Sequence, residues 1–289
     1  TYNLIISSLY LDLFFNYSYD INETEEIMDT KLIFFDIDGT LLDEQTFTVP
    51  DSTKKAIQLA QQNGHKCFIN TGRPISTIDQ VITDIPFDGY ICGCGTYIEY
   101  HGEPIFHVDI SDELRQKIIQ KTHEYHVDTV LEGRYGVYFP EVSYHPFVQG
   151  VEQRYIKEKF PVHKYNQNDV VPFDKFASWY TKESDIEAFR ALLADDFDII
   201  QRDVDFLEIV PLPYSKATGI QFIADYLHIS IDDTISIGDS TNDLPMLKFT
   251  KEAVAMGNSN PLLFDEVTYI TTDIQDNGIY NALKHFQII

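Results

Sequence analysis

Four stretches of this chain hold residues whose types and spacing could do chemistry: Asp36-Ile37-Asp38-Gly39-Thr40, Asn70-Thr71-Gly72-Arg73, Lys216, and Gly238-Asp239-Ser240-Thr241-Asn242-Asp243. Taken singly, each has a plainer reading, because Asp, Gly and Thr are common turn and helix-cap residues. Together they are harder to dismiss. A DxDGT pattern arises by chance on the order of once in a few hundred chains of this size at average residue usage. Here a GDxxND stretch follows it behind a second apolar run.

The carboxylates set the chemistry. A pair of them about 4 Å apart costs roughly 4 kcal/mol at an effective dielectric of about 20, so a site that gathers several needs a cation among them. Hard oxygen donors with few protein ligands suit Mg²⁺, which keeps several waters and shares the phosphate oxygens of a substrate. Lys216 adds a second positive charge. Together these would let an anionic carboxylate approach an anionic phosphoryl group and would neutralise its equatorial oxygens in the transition state. Asp36, last in its apolar run, is placed for nucleophilic attack, splitting hydrolysis into two steps through an acyl-phosphate. Asp38 is placed to protonate the leaving oxygen and later to take a proton from water, a reversal that needs a pKa raised toward neutrality. Thr71 offers a hydroxyl and Gly72 a bare backbone N–H to the phosphoryl oxygens.

Such residues need a frame that brings them together. Lys31 to Phe35 reads as a buried strand, and Ser52 to Gln62 as a helix with Ala56, Leu59 and Ala60 on one face, stopped by Asn63-Gly64. Lys66 to Asn70 and Gly89 to Cys92 are further strands. The far end repeats the rhythm with a helix from Ala217 to Leu227, a strand from Thr234 to Ile237, a helix after Asn242, and strands near Ala253 to Met256 and Tyr269 to Thr272. This alternation predicts a parallel sheet wrapped by helices, in which ligands bind beyond the carboxyl ends of the strands. All four stretches fall on that edge. Between Ser111 and Pro211 the texture changes to helix-like stretches (Glu113 to Tyr125, Ile186 to Leu193) beside hairpin-like strands (Thr129 to Tyr138, Phe206 to Val210), which reads as an inserted α+β module.

Composition narrows the partners. The 289 residues carry a formal net charge of −25, which opposes attraction to nucleic acid or to an anionic membrane surface. A small substrate is expected, and an anionic one must be met by local cations or aimed N–H groups. Cys67, Cys92 and Cys94 form an odd, sparse set that gives no disulfide framework and suits a reducing compartment, so the expected location is the cytoplasm. The apolar run from Leu4 to Phe15 is too short and too interrupted to span a bilayer. Residues 1–27, ahead of Met28, are read either as a mis-called start or as a peripheral extension, and carry no assigned function.

Asp36-x-Asp38-Gly39-Thr40, Thr71, Lys216 and Gly238-Asp239-x-x-Asn242-Asp243 resemble the four motifs of the haloacid dehalogenase superfamily of phosphohydrolases. With the insertion between the second and third motifs, the chain from residue 28 to 289 resembles a Cof-type phosphatase with a type IIB cap. The resemblance implies Mg²⁺ held by the carboxylates of Asp36 and Asp239 and the backbone carbonyl of Asp38. It places Asn242 near the phosphate and gives Asp243 a supporting role; Arg73 reads either as an anchor of its loop or helix or as a substrate contact. Two departures stand out. Relatives commonly carry Asn-Gly-Ala at the approach to the cap where this chain has Cys94-Gly95-Thr96, and Pro211-Leu212-Pro213-Tyr214-Ser215 is richer in proline than the usual hinge.

The expected fold is therefore α/β: a doubly wound, Rossmann-like core over residues 28–110 and 212–289, with an α+β cap over 111–211. The expected function is Mg²⁺-dependent hydrolysis of a small phosphorylated metabolite. A phosphomutase of the same architecture and a non-catalytic phosphometabolite sensor are the rivals. His123 and His126 read as a surface pair. Tyr135, Tyr138, Tyr144, His145 and Arg154 could line a pocket or simply pack, and are left unassigned.

Overall fold

The computed structural model describes residues 30–289. The expected extension over residues 1–27 lies outside them. In chain order the first elements are β1 (Leu32–Phe35), α1 (Asp51–Gln62), β2 (Lys66–Asn70), α2 (Gln80–Thr83), β3 (Gly89–Cys92), β4 (Tyr97–Tyr100) and β5 (Glu103–His107). Next come α3 (Asp112–Glu124), β6 (Asp128–Gly133), β7 (Gly136–Pro140), α4 (Pro146–Lys157), β8 (Val162–Tyr165), β9 (Lys175–Trp179), α5 (Ile186–Leu193), β10 (Phe197–Asp203) and β11 (Phe206–Pro211). The chain closes with α6 (Lys216–Leu227), β12 (Thr234–Gly238), α7 (Leu244–Leu247), β13 (Glu252–Ala255), β14 (Tyr269–Ile270) and α8 (Gly278–His285).

These strands form two sheets. The first has eight strands in the order β14-β13-β12-β1-β2-β3-β4-β5. From β14 to β3 every neighbouring pair is parallel, and β4 and β5 then add an antiparallel edge. That edge refines the expected all-parallel sheet. β1 is wholly buried because its alternating side chains serve opposite faces. Ile33 and Phe35 pack with Ile57 of α1 and Leu283 of α8. Leu32 and Phe34 pack with Ile220 of α6 and Met246 of α7. Helices thus cover both faces, as double winding requires.

Register then does the positioning. Phe35 lies level with Ile69 of β2 and Ile237 of β12. The residues that leave these three adjacent strands, Asp36, Thr71 and Asp239, therefore emerge together at one edge of the sheet.

The second sheet has six strands in the order β10-β11-β9-β6-β7-β8, antiparallel apart from the β7–β8 pair. One face packs Leu131, Phe176 and Ile209 against Ile118 of α3 and Phe189 of α5. The other packs Val130, Val137 and Ala177 against Val148 of α4. No helix among the described residues is long and apolar enough to cross a membrane. The helix expected after Asn242 is a 3₁₀ turn over Thr241–Asp243 that runs into the short α7.

Candidate active site

Asp36, 4% exposed, follows β1 directly, and its N–H bonds to the Ile237 carbonyl at 3.0 Å. Its Oδ1 accepts a hydrogen bond from Lys216 Nζ at 2.6 Å, and the same ammonium donates to Asp243 Oδ1 at 2.5 Å. A cation in the first turn of a helix opposes the helix dipole, so Lys216 needs these carboxylates. The turn is fixed independently of them. Ser215 Oγ accepts from Thr218 N at 3.2 Å while Thr218 Oγ1 accepts from Ser215 N at 2.9 Å, a capping box. The Lys216 carbonyl also accepts from Asn70 Nδ2 at 3.0 Å.

The loop after β12 brings the third carboxylate. Asp243 is fully buried, and its Oδ2 accepts from the backbone N–H groups of Asp239 and Ser240 at 3.0 and 3.1 Å. This leaves the Asp239 side chain facing the loop after β1, where Thr40 Oγ1 donates to its Oδ1 at 3.2 Å. Gly39 has φ +74°, and a Cβ there would stand 2.4 Å from Asp239 Oδ2. Only glycine allows this approach.

Carboxylate oxygens of Asp36, Asp239 and Asp243 lie within 4.8 Å of one another. One ammonium does not balance three carboxylates, and the electrostatics register the excess. Burial, followed by the neighbouring Asp243 carboxylate, pushes the pKa of Asp36 up against the pull of Lys216. The same two causes raise Asp239 to about 7, against the Thr40 hydroxyl and Lys216. Burial alone would lower Lys216, but Asp243 and Asp36 outweigh it and raise its pKa. Buried oxygen donors carrying uncompensated negative charge fit a hard divalent cation such as Mg²⁺. Asp243 already serves Lys216 and two N–H groups, so Asp36 and Asp239 are the carboxylates better able to hold it.

A cleft of about 380 Å³ opens over this cluster. Asp36, Asp38, Thr71, Gly72, Arg73, Asp239 and Asn242 all line it. Thr71 Oγ1 accepts from the Arg73 N–H at 3.2 Å, and Ser240 Oγ donates to Asn242 Oδ1. Asp38 is turned toward Arg73, which binds both of its carboxylate oxygens. Lys216 stands apart from the other expected phosphate-binding residues. Its ammonium is taken up by Asp36 and Asp243 behind the cleft wall.

Sequence reasoning missed Glu44 from the first sheet's side of the cleft, and Glu132, Tyr155, Lys175, Arg202 and Glu208 from the second. A signal was available for one of them: Glu208 interrupts the otherwise apolar strand Phe206–Pro211, where a charge is out of pattern. The residues left unassigned do not line this cleft. Tyr144 borders a separate cavity, His145 meets Asp205 at 3.1 Å, and Tyr135 is exposed. His123 lies 3.2 Å from the Tyr144 hydroxyl, and neither it nor His126 joins a metal-holding cluster among the described residues. Cys67, Cys92 and Cys94 are free and buried, and the Cys94 thiol donates to Glu208 Oε1 at 3.5 Å.

A family model described as haloacid dehalogenase-like hydrolase matches residues 33–283. A Bacillus subtilis protein provisionally named phosphatase YkrA is 26% identical over 273 residues, spanning 91% of this chain and 100% of the relative. From the same organism, 5-amino-6-(5-phospho-D-ribitylamino)uracil phosphatase YitU is 26% identical over 278 residues, spanning 90% and 99%. Among solved structures, the subclass IIB sugar phosphatase BT4131 is similar at a TM-score of 0.75 with 26% identity, covering 90% of this chain and 100% of that one.

Proposed function

The chain belongs to the haloacid dehalogenase-like hydrolases and is a phosphatase of phosphate monoesters; on that premise we propose that Asp36 is its nucleophile, Asp38 its general acid and base, and Mg²⁺ its cofactor. The observation that carries this reading is the meeting of Asp36 and Asp239 at the floor of one open cleft, with Lys216 and Asp243 buried against them.

In this mechanism Asp36 attacks phosphorus in line with the leaving oxygen and takes the phosphoryl group as an acyl-phosphate. Lys216 holds the attacking carboxylate in place from behind. Asp38, aimed by Arg73, acts in its protonated form on the leaving oxygen and, once ionised, takes a proton from the water that hydrolyses the acyl-phosphate. Thr71, the Gly72 N–H and the Asn242 amide bind phosphoryl oxygens. Mg²⁺, held by Asp36, Asp239 and the Asp38 carbonyl, would supply the positive charge that the paired Lys216 and Arg73 do not leave open. Residues 28–110 and 212–289 act as the catalytic core, and 111–211 as a cap that closes over the cleft and limits water. The three free thiols fit a reducing setting such as the cytoplasm.

Substrates of this kind include sugar phosphates and phosphorylated cofactors. The names of YitU and BT4131 point to phosphorylated ribityl and sugar compounds for those two proteins. Phosphate release from such a panel should require Mg²⁺ and stop on chelation. Isomerised sugar phosphate in place of free phosphate would indicate a phosphomutase, and a single phosphate per chain a sensor.

A further inference from the structure

One histidine–carboxylate contact crosses between the two sheets outside the cleft. His107, the last residue of β5, has its Nε2 2.7 Å from Oδ1 of Asp174, the residue before β9. The Asp174 side chain is 6% exposed and that of His107 29%. A carboxylate this buried needs a hydrogen-bonded partner, and for Asp174 that partner stands on the other sheet. With Nε2 protonated, the imidazole donates to it in either charge state. The Lys216 pairs, by contrast, stay on the first sheet's side, and those of Lys175 and Arg202 on the second's.

Short paths run from both partners to the cleft, although neither lines it. On the first sheet, His107 is level with Tyr97 of β4 and packs edge-on to its ring, with centroids 6.1 Å apart. The next residue, Val108, donates from its N–H to the Thr96 carbonyl at 2.8 Å, and Thr96 Oγ1 donates to the Gly93 carbonyl at 2.9 Å. The turn Gly93–Gly95 is bound in its turn to the phosphate loop, Gly93 N–H to the Arg73 carbonyl at 2.8 Å and Cys94 N–H to the Thr71 carbonyl at 3.0 Å. On the second sheet, the residue after Asp174 is Lys175, which lines the cleft, and the Asp174 N–H donates to the Glu132 carbonyl at 2.8 Å.

Place matters as much as strength. Glu132 and Lys175 are level across β6 and β9, so Gly133 and Asp174 stand side by side at one end of the sheet. Gly133 accepts from Ser76 Oγ at 2.7 Å. Two hydrogen bonds from the first sheet's side thus grip the same end of the second sheet, one from the loop after Arg73 and one from β5, and two fixed points define an axis. Resting on the phosphatase reading above, we propose that His107, acting through Asp174, is a positioning residue that seats the second sheet over the phosphate-binding loop.

The experiment compares wild type with His107→Leu, Asp174→Ala, the double variant and His107→Gln. Asp174→Ala breaks the contact without leaving a buried charge, so it stands in should His107→Leu not fold. The first measurement needs no turnover: native protein is treated with a thiol reagent and the rate is followed at each cysteine by peptide mass. Cys94 is 7% exposed and meets Glu208 of the second sheet, whereas Cys67 and Cys92 are wholly buried. Burial, then Glu208, pushes the Cys94 pKa up to about 12, so it labels slowly while the sheet is seated. Either single disruption should speed Cys94 labelling about tenfold and leave Cys67 and Cys92 unchanged. The second measurement is kcat/KM with Mg²⁺ for p-nitrophenyl phosphate relative to the much smaller acetyl phosphate. That ratio should fall about tenfold, the scale of one charged hydrogen bond. The double variant should be no worse than either single one, as for two residues acting as one unit, and His107→Gln, whose amide still donates, should stay within about threefold of wild type. Disrupted variants that label and discriminate like wild type overturn the proposal, as do additive effects in the double variant or equal acceleration at all three thiols. A wild type that hydrolyses neither ester overturns the phosphatase reading, and Cys94 labelling then decides the seating by itself.

Discussion

Both carboxylate oxygens of Asp38 are held by a single side chain: Arg73 Nε lies 2.8 Å from Oδ2, and Arg73 Nη2 lies 2.5 Å from Oδ1. The same guanidinium binds Asp79 Oδ2 at 2.6 Å and the Thr77 carbonyl at 3.2 Å through Nη1. Close by, Ser76 Oγ donates to the Gly133 carbonyl at 2.7 Å, at the end of β6. The proposed acid and base is therefore tied, through one arginine, to a segment that touches the second sheet. A fork on both oxygens fixes direction as well as position.

Arg73→Lys should reveal that role. Lysine keeps the charge but cannot form the fork, so Asp38 loses its orientation. We expect kcat to fall by about 10- to 100-fold, the scale of a misplacement near 1 Å, with KM changed much less. Equal changes in both would instead mark Arg73 as a substrate contact.

Lys216→Met should strike stability as well as turnover. Lys216 is 2% exposed, and its ammonium pairs with two carboxylates. Removing one partner of such a buried pair costs about 3–5 kcal/mol. Adding Asp243→Asn should return part of the lost Tm, because it removes one of the orphaned charges. A Lys216→Met protein that melts with the wild type would contradict the buried pairing.

Asp239 gives a pH dependence with a definite sign. Its pKa is raised to about 7, first by burial and then by Asp243. A carboxyl whose folded pKa exceeds its unfolded value keeps its proton in the native state while the unfolded chain ionises. In metal-free protein the stability linked to Asp239 is full below about pH 4 and is lost as pH rises through about 7. Melting curves in EDTA should show the advantage of Asp239→Asn over wild type growing between about pH 5 and pH 8. Mg²⁺ should raise the wild-type Tm more at the upper pH, where no proton has to leave. Flat differences across that range would contradict both statements.

The floor of the cleft was legible in the sequence because its residues leave apolar runs whose order and parallel pairing follow from the α/β alternation. Asp36, Thr71 and Asp239 needed only β1, β2 and β12 to lie side by side. The charged residues that the second sheet turns toward the cleft were not legible as a set, although Glu208 breaks the pattern of its own strand. Glu132, Lys175, Arg202 and Glu208 come from strands far apart in the chain, joined by antiparallel pairing that no local spacing encodes. β9 and β10 also carry Lys175, Arg202 and Asp203 within short runs, which blurs the period-two signal. α4 was hidden for a related reason. Gly150 and an aromatic, β-branched mix weaken its helical propensity, and its burial against Val130 and Val137 is a tertiary effect.

The most direct test of the central claim is to map the covalent intermediate. Enzyme in excess would be mixed with a turned-over monophosphate and Mg²⁺, quenched in acid, reduced with borohydride and digested for peptide mass analysis. The predicted result is a phosphoryl group on Asp36, recovered after reduction as homoserine at that position and absent from Asp36→Asn. A phosphoryl group on any other residue, or free phosphate released in that turnover with Asp36 unmodified throughout, would contradict it.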